Sequence, residues 1–354
     1  MTNSTKLATE RFSPPSPLPP SDDPRYFPKP FDDFLTATYS GADPIGTSHR
    51  NYMRTDIERG REAAKQLQPW ISIKGKRVLD VGCGYGGILL AMADAGAASI
   101  AGVEVDAERL HWAKERTDAI GFPADLRVAD ICVEADIRKL PSFDVILMQD
   151  VMEHVPDPSV AMRHISSLLA PGGAVYVQVG NKFSADQLLH DHHCQLPGLT
   201  VLAREQAVEY FQVRTGRPAD HYAVGYWREE KFYRNVFRRC GVTLHRTEHF
   251  YHPDSINYYA KDFSEICTML EKDLWPDLRP ELGRRMRKRM LKVVQLYVHA
   301  SRQLPSLMAQ PDLLAQACDS IVARILLPVW RLVGIKDAQP SPNLSTNNGA
   351  TDAQ

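Results

Sequence analysis

The stretch RVLDVGCGYGG, residues 77–87, decides the fold. Its first five residues, 77–81, have the apolar and β-branched composition of a buried strand, and the apolar run 88–95 predicts a helix that ends at Gly96. The glycines between strand and helix let the backbone turn sharply and approach a ligand closely. A strand, a glycine-rich loop and a helix in this order are typical of the first unit of a parallel α/β sheet.

The same alternation of short strands and helices continues outward from this loop. Further strands are predicted at 99–104, 126–129, 144–148 and 174–179, with helices at 106–120 and 157–169. Such βαβ units are right-handed, and their ligands lie beyond the carboxyl ends of the strands. Downstream, the pattern predicts a helix at 228–240, a strand at 242–249, an antiparallel partner strand at 256–260 and mainly helix over 263–335.

Composition sets the broad class of the protein. The 354 residues carry a net charge of -1, which argues against a dedicated nucleic-acid binder. Six cysteines without a CxxC pair and no apolar opening segment predict a reduced, cytoplasmic protein. Segment 1–30 holds eight prolines and is predicted to be a disordered arm, as is the tail 337–354.

The glycine loop fits two kinds of nucleotide cofactor. Gly82, Gly84 and Gly87 match the GxGxxG of a dinucleotide site, whereas Asp80 with Gly82, Gly84 and Gly86 matches the DxGxGxG loop that binds S-adenosylmethionine. A dinucleotide brings an anionic pyrophosphate, which Asp80 repels. S-adenosylmethionine brings an ammonium and a sulfonium, which Asp80 attracts. At about 4 Å and an effective dielectric of about 20, each interaction amounts to about 4 kcal/mol, so the charge favours the cationic cofactor.

Two further carboxylates follow the next strands. Glu104 ends the second strand, where an acid accepts hydrogen bonds from the ribose hydroxyls of either cofactor. Asp130 follows the third strand, where it can accept a hydrogen bond from an adenine amino group beside Ile131. A turn aspartate without a ligand is the alternative interpretation of Asp130.

Residues 76–181 resemble the core of the class I S-adenosylmethionine-dependent methyltransferases, in the subgroup often called type 11 or type 12. The segments that carry the resemblance are 78–84, 102–104, 129–131, 143–146, 151–155 and 171–173. Together they cover about a third of the chain. They are specific for the superfamily and leave the methyl acceptor open.

The resemblance implies an α/β fold with a Rossmann-like, doubly wound seven-stranded sheet, six strands parallel and one antiparallel. It also implies that a helix around 49–70 covers the cofactor as a lid. The predicted organisation is an arm at 1–30, a helical lid at 31–75, a methyltransferase domain at 76–262 with an acceptor-binding insertion at about 181–227, a helical C-terminal extension at 263–336 and the tail. The predicted cofactor contacts are Asp80, Gly82, Cys83, Gly84, Gly86, Glu104, Val105, Asp130, Ile131, Gln149 and Asp150.

Histidines supply the candidates for a general base. A hydroxyl acceptor gains about 10²–10⁴-fold from such a base. His154 lies four residues beyond the fourth strand, and the run 190–194 (HDHHC) follows the fifth. Within that run we single out His192 and His193, and a plain polar loop is the alternative. No metal site is predicted, because adjacent residues rarely converge on one ion.

The sequence therefore predicts an S-adenosylmethionine-dependent methyltransferase for a small-molecule, sugar, lipid or natural-product acceptor, with O-methylation preferred. The alternatives are an NAD-dependent oxidoreductase and a non-catalytic scaffold with the same fold. Residues 279–292 carry seven Lys or Arg and one Glu. Such a run is ordinarily a solvated helix face, and the alternative is weak contact of residues 279–335 with an anionic membrane. No nucleic-acid partner is expected, and the oligomeric state stays open.

Overall fold

A computed structural model describes residues 23–39, 44–249, 253–272, 275 and 277–337. Most of the predicted arm and nearly all of the predicted tail lie outside these residues. Segment 23–30 lies within the described residues: Pro24–Tyr26 forms a 3₁₀ turn, and the Tyr26 side chain is only 2% exposed. The prediction of disorder is wrong for this segment, because Tyr26 packs into the hydrophobic core beside α3 and α4.

Seven strands form one sheet in the order β3-β2-β1-β4-β5-β7-β6. The strands are β1 (Arg77–Val81), β2 (Ser99–Glu104), β3 (Ala124–Val128), β4 (Phe143–Gln149), β5 (Leu169–Gly180), β6 (Val242–Arg246) and β7 (Val329–Lys336). Strand β7 is antiparallel to both neighbours, and the other six strands run in one direction. The predicted six-plus-one sheet is confirmed, and the order reverses beside β1, where such sheets bind their ligands.

The antiparallel strand comes from a different part of the chain than predicted. Residues 256–260 belong to a helix, α11 (Pro253–Leu270), not to a strand, and the seventh strand is β7. The buried residues of α11, among them Ile256, Phe263 and Leu270, recur at helical spacing, and a five-residue window is too short to show it. The prediction of mainly helix through 335 is wrong for residues 329–335, because these residues form β7, which pairs with β5 and with the edge strand β6.

Helices cover both faces of the sheet. Before it come α1 (Lys29–Thr38), α2 (Pro44–Arg54) and α3 (Asp56–Leu67), and between its strands α4 (Gly87–Asp94), α5 (Ala107–Ala119), α6 (Glu134–Ile137) and α7 (Pro158–Leu168). The predicted lid helix is thus two helices, because Thr55 between them leaves helical geometry (φ -103°, ψ 15°). Helix α3 packs tightly on α4, where a Cβ on Gly60 would lie 2.6 Å from the Ala91 Cβ.

All but one of the remaining helices share a second hydrophobic core. The remaining helices are α8 (Ala185–Leu189), α9 (Arg204–Thr215), α10 (Glu230–Arg239), α11, α12 (Pro280–Leu307) and α13 (Pro311–Ile321). Buried side chains of the 185–227 segment form one cluster with those of α11, α12 and the turn after α13, whereas α10 packs on the sheet. The C-terminal helices therefore complete the core of the insertion. No helix among the described residues combines the length and apolar character needed to cross a bilayer.

Candidate active site

Asp80 lies in β1 with its side chain almost entirely buried, at 1% exposure. Among the described residues, neither of its carboxylate oxygens has a hydrogen-bond partner. Burial, reinforced by the charge of Glu104, raises the pKa of Asp80 well above its ordinary value. Buried polar groups in native proteins are nearly always satisfied, so this carboxylate has the character of a site for a cationic or hydrogen-donating ligand.

The glycine loop after β1 has a backbone that other residues do not adopt readily. Gly82, Gly84 and Gly86 have φ values of 69°, 51° and 83°. At Gly82 a Cβ would also lie 2.5 Å from a methyl carbon of Val151. The loop is anchored on β2, because the N–H groups of Gly82 and Cys83 donate to the Val103 carbonyl at 2.8 and 3.1 Å. The predicted loop contacts are therefore brought together beside Asp80.

Cys83 contributes its backbone rather than its thiol. The sulfur packs beneath β2, where a Cβ on Gly102 would lie 2.7 Å from it. Burial, together with the charges of Asp80 and Glu104, raises the pKa of this thiol well above its usual range. A buried, protonated thiol of this kind has the character of a packing residue.

Glu104 ends β2 and holds the glycine loop in place. Its carboxylate accepts hydrogen bonds from the N–H groups of Gly84 at 3.0 Å, Val105 at 2.9 Å and Asp106 at 3.1 Å. A carboxylate offers about four acceptor positions, so about one remains for a ligand hydroxyl. Beside it, the apolar Val105 side chain is 66% exposed. This exposed surface suits the face of an aromatic base.

Asp130 and Ile131 lie beyond the third strand. One Asp130 oxygen accepts from the Cys132 N–H at 2.8 Å, in the manner of a turn aspartate. The Ile131 side chain is buried, and its carbonyl is held at 2.6 Å by Nδ1 of His164. The third strand end is thus formed as predicted, and its ligand role stays a prediction.

Gln149 ends β4, on the other side of β1, and Asp150 directly follows it. The Gln149 amide is buried, and neither its oxygen nor its nitrogen has a partner in the described part of the chain. Asp150 adopts a left-handed backbone with φ 56°. Its carboxylate accepts from the Tyr52 hydroxyl of α2 and from Gln178 of β5, the latter at 3.0 Å. A second orphaned polar group therefore lies one strand away from Asp80.

His154 and His193 meet although 39 residues separate them. Their Nε2 atoms are 3.2 Å apart, and His154 Nδ1 lies 3.0 Å from the Ala223 carbonyl. These partners place protons on His154 Nδ1 and His193 Nε2, so that His193 Nδ1 keeps a lone pair. That nitrogen has no hydrogen-bond partner among the described residues. Burial lowers the pKa of both rings, and in His193 the neighbouring histidines lower it further.

His192 is not part of this pair. Its Nε2 lies 2.5 Å from an Asp186 oxygen and its Nδ1 2.9 Å from the Gln187 amide nitrogen. Burial lowers its pKa, but the Asp186 hydrogen bond and charge outweigh that effect and raise it overall. The structure thus separates the two histidines that the sequence singled out together, and the catalytic role of His192 stays a prediction without support.

Glu153 completes a three-residue cluster with the histidine pair. One donor atom each from Glu153, His154 and His193 lies within 4.8 Å of the others. Burial, reinforced by the charge of Asp150, raises the pKa of Glu153 to about 8. A carboxylate with two imidazoles can pass protons or hold a divalent cation. The prediction of no metal site stays untested.

The candidate site residues that sequence analysis did not single out are Tyr52, Glu153 and Gln178. Glu153 precedes the predicted His154, and its place in the VMEHV run was the one available signal. Tyr52 and Gln178 come from α2 and β5, and only tertiary structure brings them to the site. The Trp227 ring of the insertion also lies there, with its centroid 5.4 Å from that of His193.

Comparison with known proteins reveals a family. Residues 50–241, more than half of the chain, match the methyltransferase domain family. A ubiquinone biosynthesis O-methyltransferase of Neisseria meningitidis serogroup C is 40% identical over 111 residues, which are 31% of this chain and 46% of that protein. One with the same name from Psychrobacter cryohalolentis is 32% identical over 149 residues, covering 42% and 58%. The chain thus spans about half the length of the curated relatives it matches.

Among solved structures, the chain is similar to a putative sarcosine dimethylglycine methyltransferase from Galdieria sulphuraria. The TM-score is 0.45 at 17% identity, over 87% of this chain and 98% of that one. The family match supports the methyltransferase interpretation of the glycine loop over the oxidoreductase one. From its strand-end carboxylates and this match over residues 50–241, the chain belongs to the methyltransferase domain family.

Proposed function

We propose that this protein is an S-adenosylmethionine-dependent O-methyltransferase acting on a small-molecule acceptor. The observation that carries the proposal is the Asp80 carboxylate, which is buried, unpartnered among the described residues and adjacent to the left-handed glycine loop. The cofactor supplies an electrophilic methyl group, so the protein mainly binds and aligns the reactants. An ammonium against Asp80 satisfies a group that is otherwise costly to bury.

The residues fit this cofactor along its length. Asp80 holds the ammonium of the methionine end beside the glycine loop, and the remaining acceptor position of Glu104 takes a ribose hydroxyl. Asp130 accepts from the adenine amino group, with Val105 and Ile131 as apolar neighbours. Three carboxylates at these positions suit a cationic ligand and disfavour a pyrophosphate, although the charge of Arg59 partly offsets that of Asp80.

The histidine pair supports a hydroxyl acceptor. The relatives are named O-methyltransferases, and O-methylation requires the loss of a hydroxyl proton. We assign the role of base to His193, whose Nδ1 carries a lone pair and lies 4.0 Å from an Asp191 oxygen, and whose ring is held by the Nε2 contact with His154. Because burial depresses the pKa of His193, the ring is a weak base. It suits a phenolic hydroxyl, with a pKa near about 10, better than an aliphatic alcohol.

The experiment is methyl transfer from labelled S-adenosylmethionine to a matched acceptor set. A catechol, an aliphatic alcohol, an aromatic amine and a thiol of similar size would be compared. We expect label on the catechol oxygen and little on the others. Transfer to nitrogen or sulfur alone would contradict the acceptor assignment, while release of S-adenosylhomocysteine would still support the cofactor.

Two further proposals concern the setting of the enzyme. We propose a reducing compartment such as the cytoplasm, since all six cysteines are unpaired. We also propose weak contact with anionic membranes through the outer face of α12, where Leu291 is 38% exposed among basic residues. Strand β7 is excluded from that surface, because it lies inside the sheet. Co-sedimentation with anionic vesicles at low and high salt tests the contact.

A further inference from the structure

A cavity of about 500 Å³ lies between the insertion and α12. Five cationic side chains line it, and one acid does. The cations are Lys182, Arg204, Arg228, Arg289 and Lys292, and the acid is Glu205. They come from the end of β5, from α9, from the segment before α10 and from α12. The positive charge of the cavity therefore comes from several elements that the fold brings together, not from one basic run of the sequence.

The positive charge in the cavity is not neutralised by the protein. In the part of the chain that the structure describes, none of the five cations is ion-paired with a carboxylate. Lys182 donates to the Trp227 carbonyl at 3.2 Å, and Arg289 donates to the Val201 carbonyl. The Arg228 guanidinium lies over the rings of Tyr226 and Phe232, and its buried Nε has no hydrogen-bond partner among the described residues. Of the five cations, three are partly buried and Arg204 and Lys292 are exposed, so the cavity attracts an anion.

Burial around Lys182 is consistent with this picture. It lowers the pKa of the ammonium, and the nearby Arg289 and Arg228 lower it further, against an opposing effect of Glu229. A bound anion would favour the charged ammonium of Lys182 and raise its pKa again.

The other part of the cavity wall is apolar. It includes Phe183, Tyr222, Trp227, Val293 and Leu296. The Trp227 and Tyr222 side chains are largely buried in the core of the insertion, so this wall is preformed. Ligand sites typically combine such an apolar lining with a few polar groups that fix orientation. This combination suits an amphiphile better than a bare anion.

The cavity shares a wall with the candidate active site. The Gly225 N–H donates to the Glu153 carbonyl at 2.6 Å, and Gly225 also lines the cavity. Trp227 lines the cavity as well, and its ring is next to His193. A ligand in the cavity is therefore separated from the histidine pair by one layer of residues.

We propose that this cavity is a binding site for an amphiphile that carries an anionic oxygen group, phosphate or carboxylate, on an apolar body. The five cations hold the anionic group, and the aromatic and aliphatic wall holds the body. The assignment stands apart from methyl transfer, and it makes anionic phenolic amphiphiles the first acceptors to screen.

Calorimetric titration of the full chain tests the proposal without cofactor or turnover. The probes are octyl phosphate and octanoate below their micelle-forming concentrations, with octanol and inorganic phosphate as controls. We expect at least one anionic amphiphile to bind about tenfold more tightly than either control. A parallel titration with S-adenosylhomocysteine reports on the proposed cofactor site separately, so the two proposals can fail independently.

A matched pair of double variants locates the site. Arg228→Gln with Lys292→Gln should weaken amphiphile binding about a hundredfold, or about tenfold per cation, which corresponds to about 1.4 kcal/mol each. Arg285→Gln with Lys288→Gln removes the same charge from exposed positions of α12 outside the cavity and should leave the affinity unchanged.

Three results would overturn the proposal. They are the absence of binding by both anionic amphiphiles, equal binding of inorganic phosphate, and an equal loss of affinity in both double variants. The last would indicate a general effect of positive charge. Unchanged affinity for S-adenosylhomocysteine in the variants shows that they are folded.

Discussion

The cofactor side and the acceptor side of the site are built differently. Asp80, Glu104 and Asp130 lie at or just beyond the ends of three strands that follow one another in the chain, and each belongs to a short motif. On the acceptor side, Tyr52 and His193 come from segments 141 residues apart. The difference teaches that local sequence encodes the binding of a shared cofactor, whereas the acceptor pocket depends on packing. The predictions below test that division.

The largest effect should follow from Asp80→Asn. The exchange keeps the shape but removes the charge that faces the cofactor. We expect affinity for S-adenosylhomocysteine to fall about a thousandfold, in line with about 4 kcal/mol for a close charge pair at an effective dielectric of about 20. Calorimetric titration measures it, and Asp118→Asn, at an exposed position of α5, is the control.

The same variant should be more stable than the parent without ligand. Because the pKa of Asp80 is raised on folding, the folded chain binds more protons than the unfolded one above the ordinary Asp pKa. The stability of the parent therefore falls as the pH rises above the ordinary Asp pKa towards the raised pKa of Asp80. The stability of the variant lacks this contribution to the pH dependence. Unchanged affinity for S-adenosylhomocysteine in a folded Asp80→Asn protein would contradict the assignment of Asp80 to cofactor binding.

The neighbours His192 and His193 provide a sharper test of the acceptor side. We expect His193→Gln to lower kcat about a hundredfold, because the base that takes the hydroxyl proton is lost. His192→Gln should change kcat less than threefold or so, since its ring is paired with Asp186 at the surface. Cofactor affinity should be unchanged in both. Equal losses in the two variants would mean that the histidine pair is not the base.

Glu153 should impose a pH dependence on stability. Its pKa rises on folding from about 4.5 to about 8, so the folded chain binds the extra proton within that window. Stability should fall as pH rises from 4.5 to 8, by at most about 1.4 kcal/mol per pH unit. Urea unfolding of Glu153→Gln should show a flatter profile, and Glu134→Gln, exposed on α6, should match the parent. If the stability of Glu153→Gln depended on pH as strongly as that of the parent, the Glu153 carboxylate would lie in a polar environment.

The smallest effect is expected for Tyr52→Phe. This variant removes the hydroxyl that donates to Asp150 and keeps the ring, over which Arg59 stacks at 3.5 Å. Since Tyr52 is 36% exposed, we expect a loss of about fivefold in kcat/KM, or about 1 kcal/mol. Steady-state kinetics with Tyr297→Phe as control measures it. No change would show that α2 covers the site without taking part in it.

Much of the fold followed from the sequence because its signals are local. The glycine loop, the strands that flank it and the acids at their ends are all visible within ten-residue windows. The antiparallel strand was assigned wrongly because 256–260 has strand-like composition on a helix, while β7 is separated from β6 by 82 residues. The pairing of two strands that lie so far apart in the chain cannot be recognised in a short sequence window.

In the candidate site, too, contacts between distant segments could not be predicted from the sequence. The sequence indicated His154 and His193 but not that their rings meet, because the meeting depends on where the insertion places residue 193. It did not separate His193 from His192, since Asp186 and Gln187 determine the orientation of the latter. The basic cavity was visible only as a charged run on α12, which supplies two of its five cations.

Thermal unfolding with S-adenosylhomocysteine and with NADH tests the central claim most directly. At a hundred times its dissociation constant, a ligand of the folded state adds about 2.7 kcal/mol of stability. At about 2–4 °C per kcal/mol this is a rise in Tm of several degrees. We predict this rise with S-adenosylhomocysteine and none with NADH. Stabilisation by NADH alone would contradict the account, because Asp80 would then face an anion.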